Sequence, residues 1–268
     1  MDSIKQALEL AKAAGSNHQA TAAFGLTPGI RVGQTAPPVR DVRLNPAHLE
    51  LKRIVAYGAA GERGRYYDML RTQVLQEMDK KNWQFLAITS PTAECGKTVT
   101  ACNLAMSIAR LPERSVLLVD LDLRKPMVAN YLGLEPSLGI VGVLEERVSL
   151  GEAVVNVSVG PSSFMVLAGS VSNSSAEWMA SQTMNTVLQA IKRDFRSRTV
   201  IFDLPPMLLG DDVISILPRI DAALLVASIG TTTTADIKEC QKHLQRTPVV
   251  RVVVNKATEI PKSYYGYY

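Results

Sequence analysis

The stretch A-I-T-S-P-T-A-E-C-G-K-T-V-T-A-C-N-L-A, residues 87–105, decides the fold. It begins as an apolar strand, passes through a polar loop and ends as a helix. Gly96-Lys97-Thr98 at the loop's end has the chemistry that phosphate binding needs. Gly96 lets backbone approach closely, Lys97 brings a positive charge to the β- and γ-phosphates, and the Thr98 hydroxyl suits a Mg²⁺ ion. The helix starting there turns free N–H groups and the positive end of its dipole toward an anion. The candidate nucleotide contacts are therefore Glu94, Cys95, Gly96, Lys97, Thr98 and Val99. The loop departs from the usual G-x-x-x-x-G-K-[ST]. Pro91 stands in the first glycine's place, and Glu94 and Cys95 replace small residues, Glu94 adding a negative charge.

Outward from this loop, apolar runs alternate with helical periods. Strands are expected at 84–89, 115–119, 164–167, 199–203, 222–227 and 249–254. Helices are expected at 64–79, 97–110, 182–196 and 234–245. Nearly all-apolar strands alternating with helices imply an α/β fold, a mostly parallel P-loop sheet with helices on both faces. Residues 3–14 fit a short amphipathic helix, and the Gly-, Ala- and Pro-rich stretch from 15 to about 45 reads as a flexible linker. The expected organisation is an N-terminal extension over 1–56, a nucleotide-binding domain over 57–259 and a tyrosine-rich tail over 260–268.

Two further strands end in acid. V-L-L-V-D-L-D-L-R-K-P (116–126) carries Asp120 and Asp122, and T-V-I-F-D-L-P-P-M (199–207) carries Asp203. Ligands of open α/β sheets bind beyond the carboxyl ends of the strands. Alternation along a strand aims Asp120 and Asp122 the same way. Two carboxylates near Mg²⁺-ATP suit one metal contact and one base contact, and Asp203 suits support of Mg²⁺. The candidate metal set is Thr98, Asp122 and Asp203; the candidate catalytic set is Lys97, Asp120 and Asp122.

Composition limits the alternatives. The 268 residues carry a net charge of +4, with basic residues dispersed, and this gives no case for nucleic acid. The cluster Lys192, Arg193, Arg196, Arg198 falls at a helix end, where cations suit the dipole. No run approaches the roughly 18 apolar residues of a bilayer span. The N-terminus lacks a secretory pattern. Three cysteines without metal-ligand spacing fit a reducing compartment. The reading is cytoplasmic, with membrane association only through a partner.

L-D-L-R-K-P, the D-L-P-P of 203–206, A-G-S-V-S-N-S-S-A-E-W-M (168–179) and the final S-Y-Y-G-Y-Y together resemble the bacterial tyrosine kinases of polysaccharide export, over roughly residues 57–268. The resemblance implies an ATP- and Mg²⁺-dependent protein-tyrosine autokinase regulating exopolysaccharide or capsule synthesis or export. In it Lys97 and Thr98 are Walker A, Asp120 and Asp122 Walker A′, and Asp203 Walker B. Asp120 would deprotonate or position an incoming tyrosine. Tyr264, Tyr265, Tyr267 and Tyr268 would be acceptors, presented in trans to a second copy. The implied partners are ATP, a membrane-bound polysaccharide co-polymerase acting as activator, and the chain itself in a ring. The family's ring-contact motif E-x-x-R-x-x-R falls on Arg65, Asp68 and Arg71, its first two charges reversed; the family's P-P-N-P stretch reads V-S-N-S at 171–174. Two other readings stand beside the kinase. One is a switch ATPase like the septum-site and plasmid-partition proteins, which carry a second lysine early in the loop that 90–95 lacks. The other is a non-catalytic scaffold.

Overall fold

The computed structural model describes residues 40–58, 62–135, 137–196 and 198–257. The expected helix at 3–14, the stretch 15–39 and the tail with Tyr264, Tyr265, Tyr267 and Tyr268 lie outside the described residues.

Among the described residues eight strands form one sheet. In chain order they are β1 (Arg40–Arg43), β2 (Phe85–Thr89), β3 (Val116–Asp120), β4 (Val154–Val159), β5 (Ser162–Leu167), β6 (Thr199–Asp203), β7 (Ala222–Ser228) and β8 (Val249–Asn255). Across the sheet the order is β1-β4-β5-β3-β6-β2-β7-β8. Six strands are parallel. β4 returns antiparallel along β5, and β1 pairs parallel with β4. Because β4 follows β5's edge through a tight Gly160–Pro161 turn, the pair forms a hairpin within an otherwise parallel fold.

The strand ends cluster where the sequence places chemistry. β2, β3 and β6 are neighbours, with Ile88 opposite Asp203 and Asp120 opposite Asp203 in register. The phosphate loop and both acidic motifs thus leave the sheet at the same edge. Alternation sorts the side chains. Leu86, Ile88, Leu118 and Ile201 pack on one face, and Phe85, Ala87, Val119 and Phe202 on the other. The first face is covered by α2 (Glu62–Lys81) and α3 (Lys97–Ala109). The second is covered mainly by α8 (Gln182–Asp194), α9 (Asp212–Ile216) and α10 (Thr234–His243). Shorter helices are α1 (Pro46–Leu51), α4 (Val128–Leu132), α5 (Gly139–Leu144), α6 (Leu150–Ala153) and α7 (Ser175–Ala180).

Two elements, β1 and α1, precede position 57 and belong to the fold. Leu49 and Ile54 are fully buried, and the arm is tied down by Asn103 of α3. The Asn103 side-chain oxygen accepts from the N–H groups of Val55 and Ala56 at 2.8 and 3.0 Å. Its amide donates to the carbonyls of Arg53 and Val99. A four-residue edge strand and a six-residue helix are too short for periodicity to reveal, and their partners lie far along the chain.

Asp68, which carries the reversed charge at the second place of the family's ring-contact motif, is half-buried on α2. Its carboxylate accepts from Arg110 at 2.9 and 3.0 Å, from Arg71 at 3.1 Å and from the Ser107 hydroxyl at 2.6 Å. The charge reversal at this position therefore clamps α2 onto α3. Among the described residues no helix is long and apolar enough to cross a membrane.

Candidate nucleotide site

The loop from Ser90 to Gly96 connects β2 to α3. Two residues in it hold left-handed backbone, Glu94 at φ 61° and Gly96 at φ 93°. Glycine is required at 96. A Cβ there would meet the Asn255 amide nitrogen at 2.1 Å. Asn255, at the end of β8, donates to the Cys95 carbonyl at 2.9 Å and so braces the loop from the sheet's far edge. Sequence reading missed this residue, because nothing local links positions 160 apart. Glu94 is exposed, which keeps its charge in solvent. Cys95 is fully buried. Burial raises its thiol, but hydrogen bonds with the Thr92 and Thr232 hydroxyls outweigh that and leave it below its ordinary value. Reactive cysteines are partly exposed, so the buried thiol serves as packing.

Lys97, Thr98, Asp122 and Asp203 converge at the loop's mouth. The Lys97 ammonium donates to Asp122 Oδ2 at 2.7 Å and lies 3.7 Å from Asp203 Oδ1. The Thr98 hydroxyl donates to Asp203 Oδ2 at 2.6 Å. Burial works against the charge on Lys97, yet Asp203 and Asp122 more than offset it and raise its pKa. Asp203 is raised by its complete burial, with Lys97 and Thr98 opposing.

These atoms fit a hard divalent cation. Asp203 Oδ1 is a buried carboxylate oxygen with no hydrogen-bond partner, next to the Thr98 hydroxyl. Among the described residues no three His, Cys, Asp or Glu side chains converge on one metal position. Mg²⁺ keeps several waters and takes the rest of its shell from substrate phosphates, so a hydroxyl and a carboxylate or two suffice to hold it.

Asp120 differs from its expected placement. β3 ends at Asp120, so strand alternation does not extend to Asp122, and the two carboxylates part. Asp122 faces Lys97. Asp120 is fully buried under the start of α4. Its Oδ2 accepts from the N–H groups of Met127 and Val128 at 2.9 Å each, and its Oδ1 from that of Asp122 at 3.2 Å. Burial, helped by the charge of Asp203, pushes it up to about 8. Gly169 lies directly against it, where a Cβ would stand 3.0 Å from the Asp120 carboxyl carbon. Asp120 thus holds the loop that presents Asp122.

Beside that loop opens a cleft of about 300 Å³ lined by Arg124, Val171, Ser172, Asn173, Ser175 and Glu177. The Ser172 N–H donates to the Leu123 carbonyl at 2.9 Å, and Arg124 is held by buried Asp212 at 2.7 Å. The stretch 171–174, read in the sequence as a worn motif, forms this wall.

Comparison with known proteins follows the same lines. EpsB of Ralstonia nicotianae is 31% identical over 200 residues, covering 74% of this chain but 26% of that protein, so the chain spans about a quarter of that relative's length. The tyrosine-protein kinase CpsD of Streptococcus pneumoniae is 29% identical over 204 residues, covering 75% of this chain and 87% of that one. The solved kinase domain of the Escherichia coli tyrosine kinase ETK superposes with a TM-score of 0.62 at 26% identity, over 74% of this chain and 78% of that one. Residues 86–263, most of the sheet and its phosphate loop, match the family described as the CobQ/CobB/MinD/ParA nucleotide binding domain, and the chain belongs to that family.

Proposed function

We propose that the protein is an ATP- and Mg²⁺-dependent protein-tyrosine autokinase that regulates exopolysaccharide or capsule synthesis or export. The single observation carrying this reading is the convergence of Lys97, Thr98, Asp122 and Asp203 at one sheet edge. The kinase names of CpsD and ETK support it.

The residues divide the work as follows. The N–H groups at the start of α3 and the Lys97 ammonium bind the phosphates. Thr98, Asp122 and Asp203 would hold Mg²⁺, which supplies neutralisation of charge building on the transferred phosphoryl group. Asp122 releases Lys97 to the phosphates as they arrive. Asp120 fixes the 121–128 loop through its three backbone hydrogen bonds, a positioning role. The cleft beside Arg124 gives an acceptor tyrosine a route to the loop's mouth. The tail residues Tyr264, Tyr265, Tyr267 and Tyr268 are the proposed acceptors. A membrane-bound co-polymerase is the proposed activator, at the inner face of the membrane.

The test is incubation with Mg²⁺-ATP, alone and with the cytoplasmic part of a membrane activator, followed by phosphotyrosine detection. Signal that disappears in Lys97→Met supports the kinase. Nucleotide-dependent dimerisation with hydrolysis and no phosphotyrosine makes the protein a switch ATPase.

A further inference from the structure

The charge of this fold is polarised along the strands. α2 ends as it enters β2, α8 as it enters β6, and α10 as it enters β8. All three helix ends therefore lie at the amino-terminal edge of the parallel strands, opposite the phosphate loop. Lys80 and Lys81 close α2, Lys192 closes α8, and Arg196 and Arg246 lie in the turns before β6 and β8. All five are exposed. None of the five has an ion-pair partner among the described residues. Lys192 sits 5.6 Å over the Phe85 ring at the start of β2, which joins the ends of α8 and α2 into one surface.

The acids on this face are mostly engaged. Asp79, Asp194 and Glu239 pair with Arg114, Arg193 and Lys242. The Asp221 carboxylate accepts the N–H groups of Gln84 and Phe85 at 2.8 Å. Among the described residues Glu113, exposed, and Glu77, half-buried near the end of α2, are the acids on this face without an ion-pair partner. At the other end of the sheet the exposed groups include Glu94, Glu177 and Asp211 against Lys125 and Lys256. Helix dipoles favour cations at helix ends, but Arg196 and Arg246 lie beyond them.

Strands β6 and β8 are three places apart, about 14 Å at roughly 4.8 Å per strand. The cations thus lie within one or two Debye lengths (about 8 Å at physiological salt) and act as one patch. They stand at helix ends and short turns spread across one edge of the sheet, so they suit a planar anionic surface. Trp83, half-buried between Lys81 and β2, adds the amphipathic ring that favours a lipid headgroup layer.

We infer that this basal face binds directly to a bilayer surface rich in anionic phospholipid headgroups, with the nucleotide site directed away from the membrane. The contact is independent of any protein activator and of the kinase reading.

Co-sedimentation of the full chain with vesicles tests it, comparing pure phosphatidylcholine with vesicles holding about 30 mol % phosphatidylglycerol. Binding is expected to the anionic vesicles alone and to weaken steeply between low and physiological salt. Each surface cation contributes about fivefold. Lys192→Glu should therefore weaken binding several-fold and the triple reversal Lys80→Glu/Lys81→Glu/Lys192→Glu about 100-fold or more. Lys256→Glu, at the opposite end, should leave it unchanged. Thermal melts establish that each variant is folded. Failure to bind anionic vesicles, or equal weakening by Lys256→Glu, overturns the inference. So does tighter binding of a mixed-sequence DNA duplex than of vesicles at the same salt, with that binding lost in the triple variant.

Discussion

The Lys97 ammonium and the Asp122 carboxylate are ion-paired at 2.7 Å, so a polyphosphate can recruit the lysine only by drawing it off a carboxylate. Removing the lysine strands two buried acids. Breaking a buried pair by deleting one partner costs about 3–5 kcal/mol. Lys97→Met should therefore lose nucleotide binding and also melt roughly 10 °C lower near neutral pH. The loss should shrink at pH 5, where the stranded carboxylates can take protons. Melting curves at pH 5 and pH 8 check this. An equal loss at both values would mean that the acids do not depend on Lys97.

Asp120 gives a second pH signature. Its folded value is raised to about 8, far above the ordinary carboxylate range. The folded state then binds a proton that the unfolded state has released. Stability from this group is fully present below pH 4 and is lost as pH rises through about 8. Asp203, raised in the same direction by burial, adds to the slope. Unfolding followed by denaturant between pH 5 and 8 should show stability falling with pH. Asp120→Asn, which carries no charge, should flatten that fall while lowering stability throughout, since its amide nitrogen cannot accept on one side whereas both carboxyl oxygens of Asp120 accept backbone N–H groups.

The phosphate loop carries two left-handed residues with opposite prospects. Gly96→Ala places a Cβ at 2.1 Å from Asn255 and adds about 1–2 kcal/mol of backbone strain. It should lose nucleotide affinity at least tenfold, and adding Asn255→Ala should recover only the clash, not the strain. Glu94 is the reverse case. Glycine at 94 relieves about 1–2 kcal/mol at φ 61°, offset by about 0.4–1 kcal/mol of unfolded-state entropy. Glu94→Gly should be neutral to slightly stabilising and should raise nucleotide affinity a few-fold, most strongly at low salt. Calorimetric titration with ATP at two salt concentrations separates the two substitutions.

Much of this was legible in the residues. β2, β3, β6 and β7 are buried on both faces, and such strands write themselves as unbroken apolar runs. The loop and the acids at 120, 122 and 203 follow from where those runs stop. What escaped was the work of distant partners. Asn255 and Asn103 act on backbone 160 and about 50 residues away, and no local pattern announces that. Asp68 shows in the sequence only as a reversed charge in the family's ring-contact motif, and nothing local announces that Arg110 on the neighbouring helix pairs with it. Asp120 and Asp122 parted because their strand ends at Asp120, two residues too soon for alternation to reach Asp122.

The arm gives the last prediction. Residues 53–56 have no sheet of their own; the Val55 and Ala56 N–H groups and the Arg53 carbonyl are satisfied by Asn103, a fully buried residue nearly two turns into the phosphate-loop helix. Replacing it with leucine keeps the volume but leaves the Val55 and Ala56 N–H groups and the Arg53 carbonyl without partners. Each such buried group costs about 1–3 kcal/mol. The arm can escape that cost by detaching, which exposes Leu49 and Ile54 instead. Asn103→Leu should therefore cut melting temperature by several degrees and open the chain to trypsin at Arg53. Nucleotide affinity should fall only modestly, because Lys97 and Thr98 stand on the same helix about one and a half turns earlier. Limited proteolysis followed by mass measurement reads the cut directly. A variant as resistant at Arg53 as the parent would show that packing of Leu49 and Ile54 alone holds the arm.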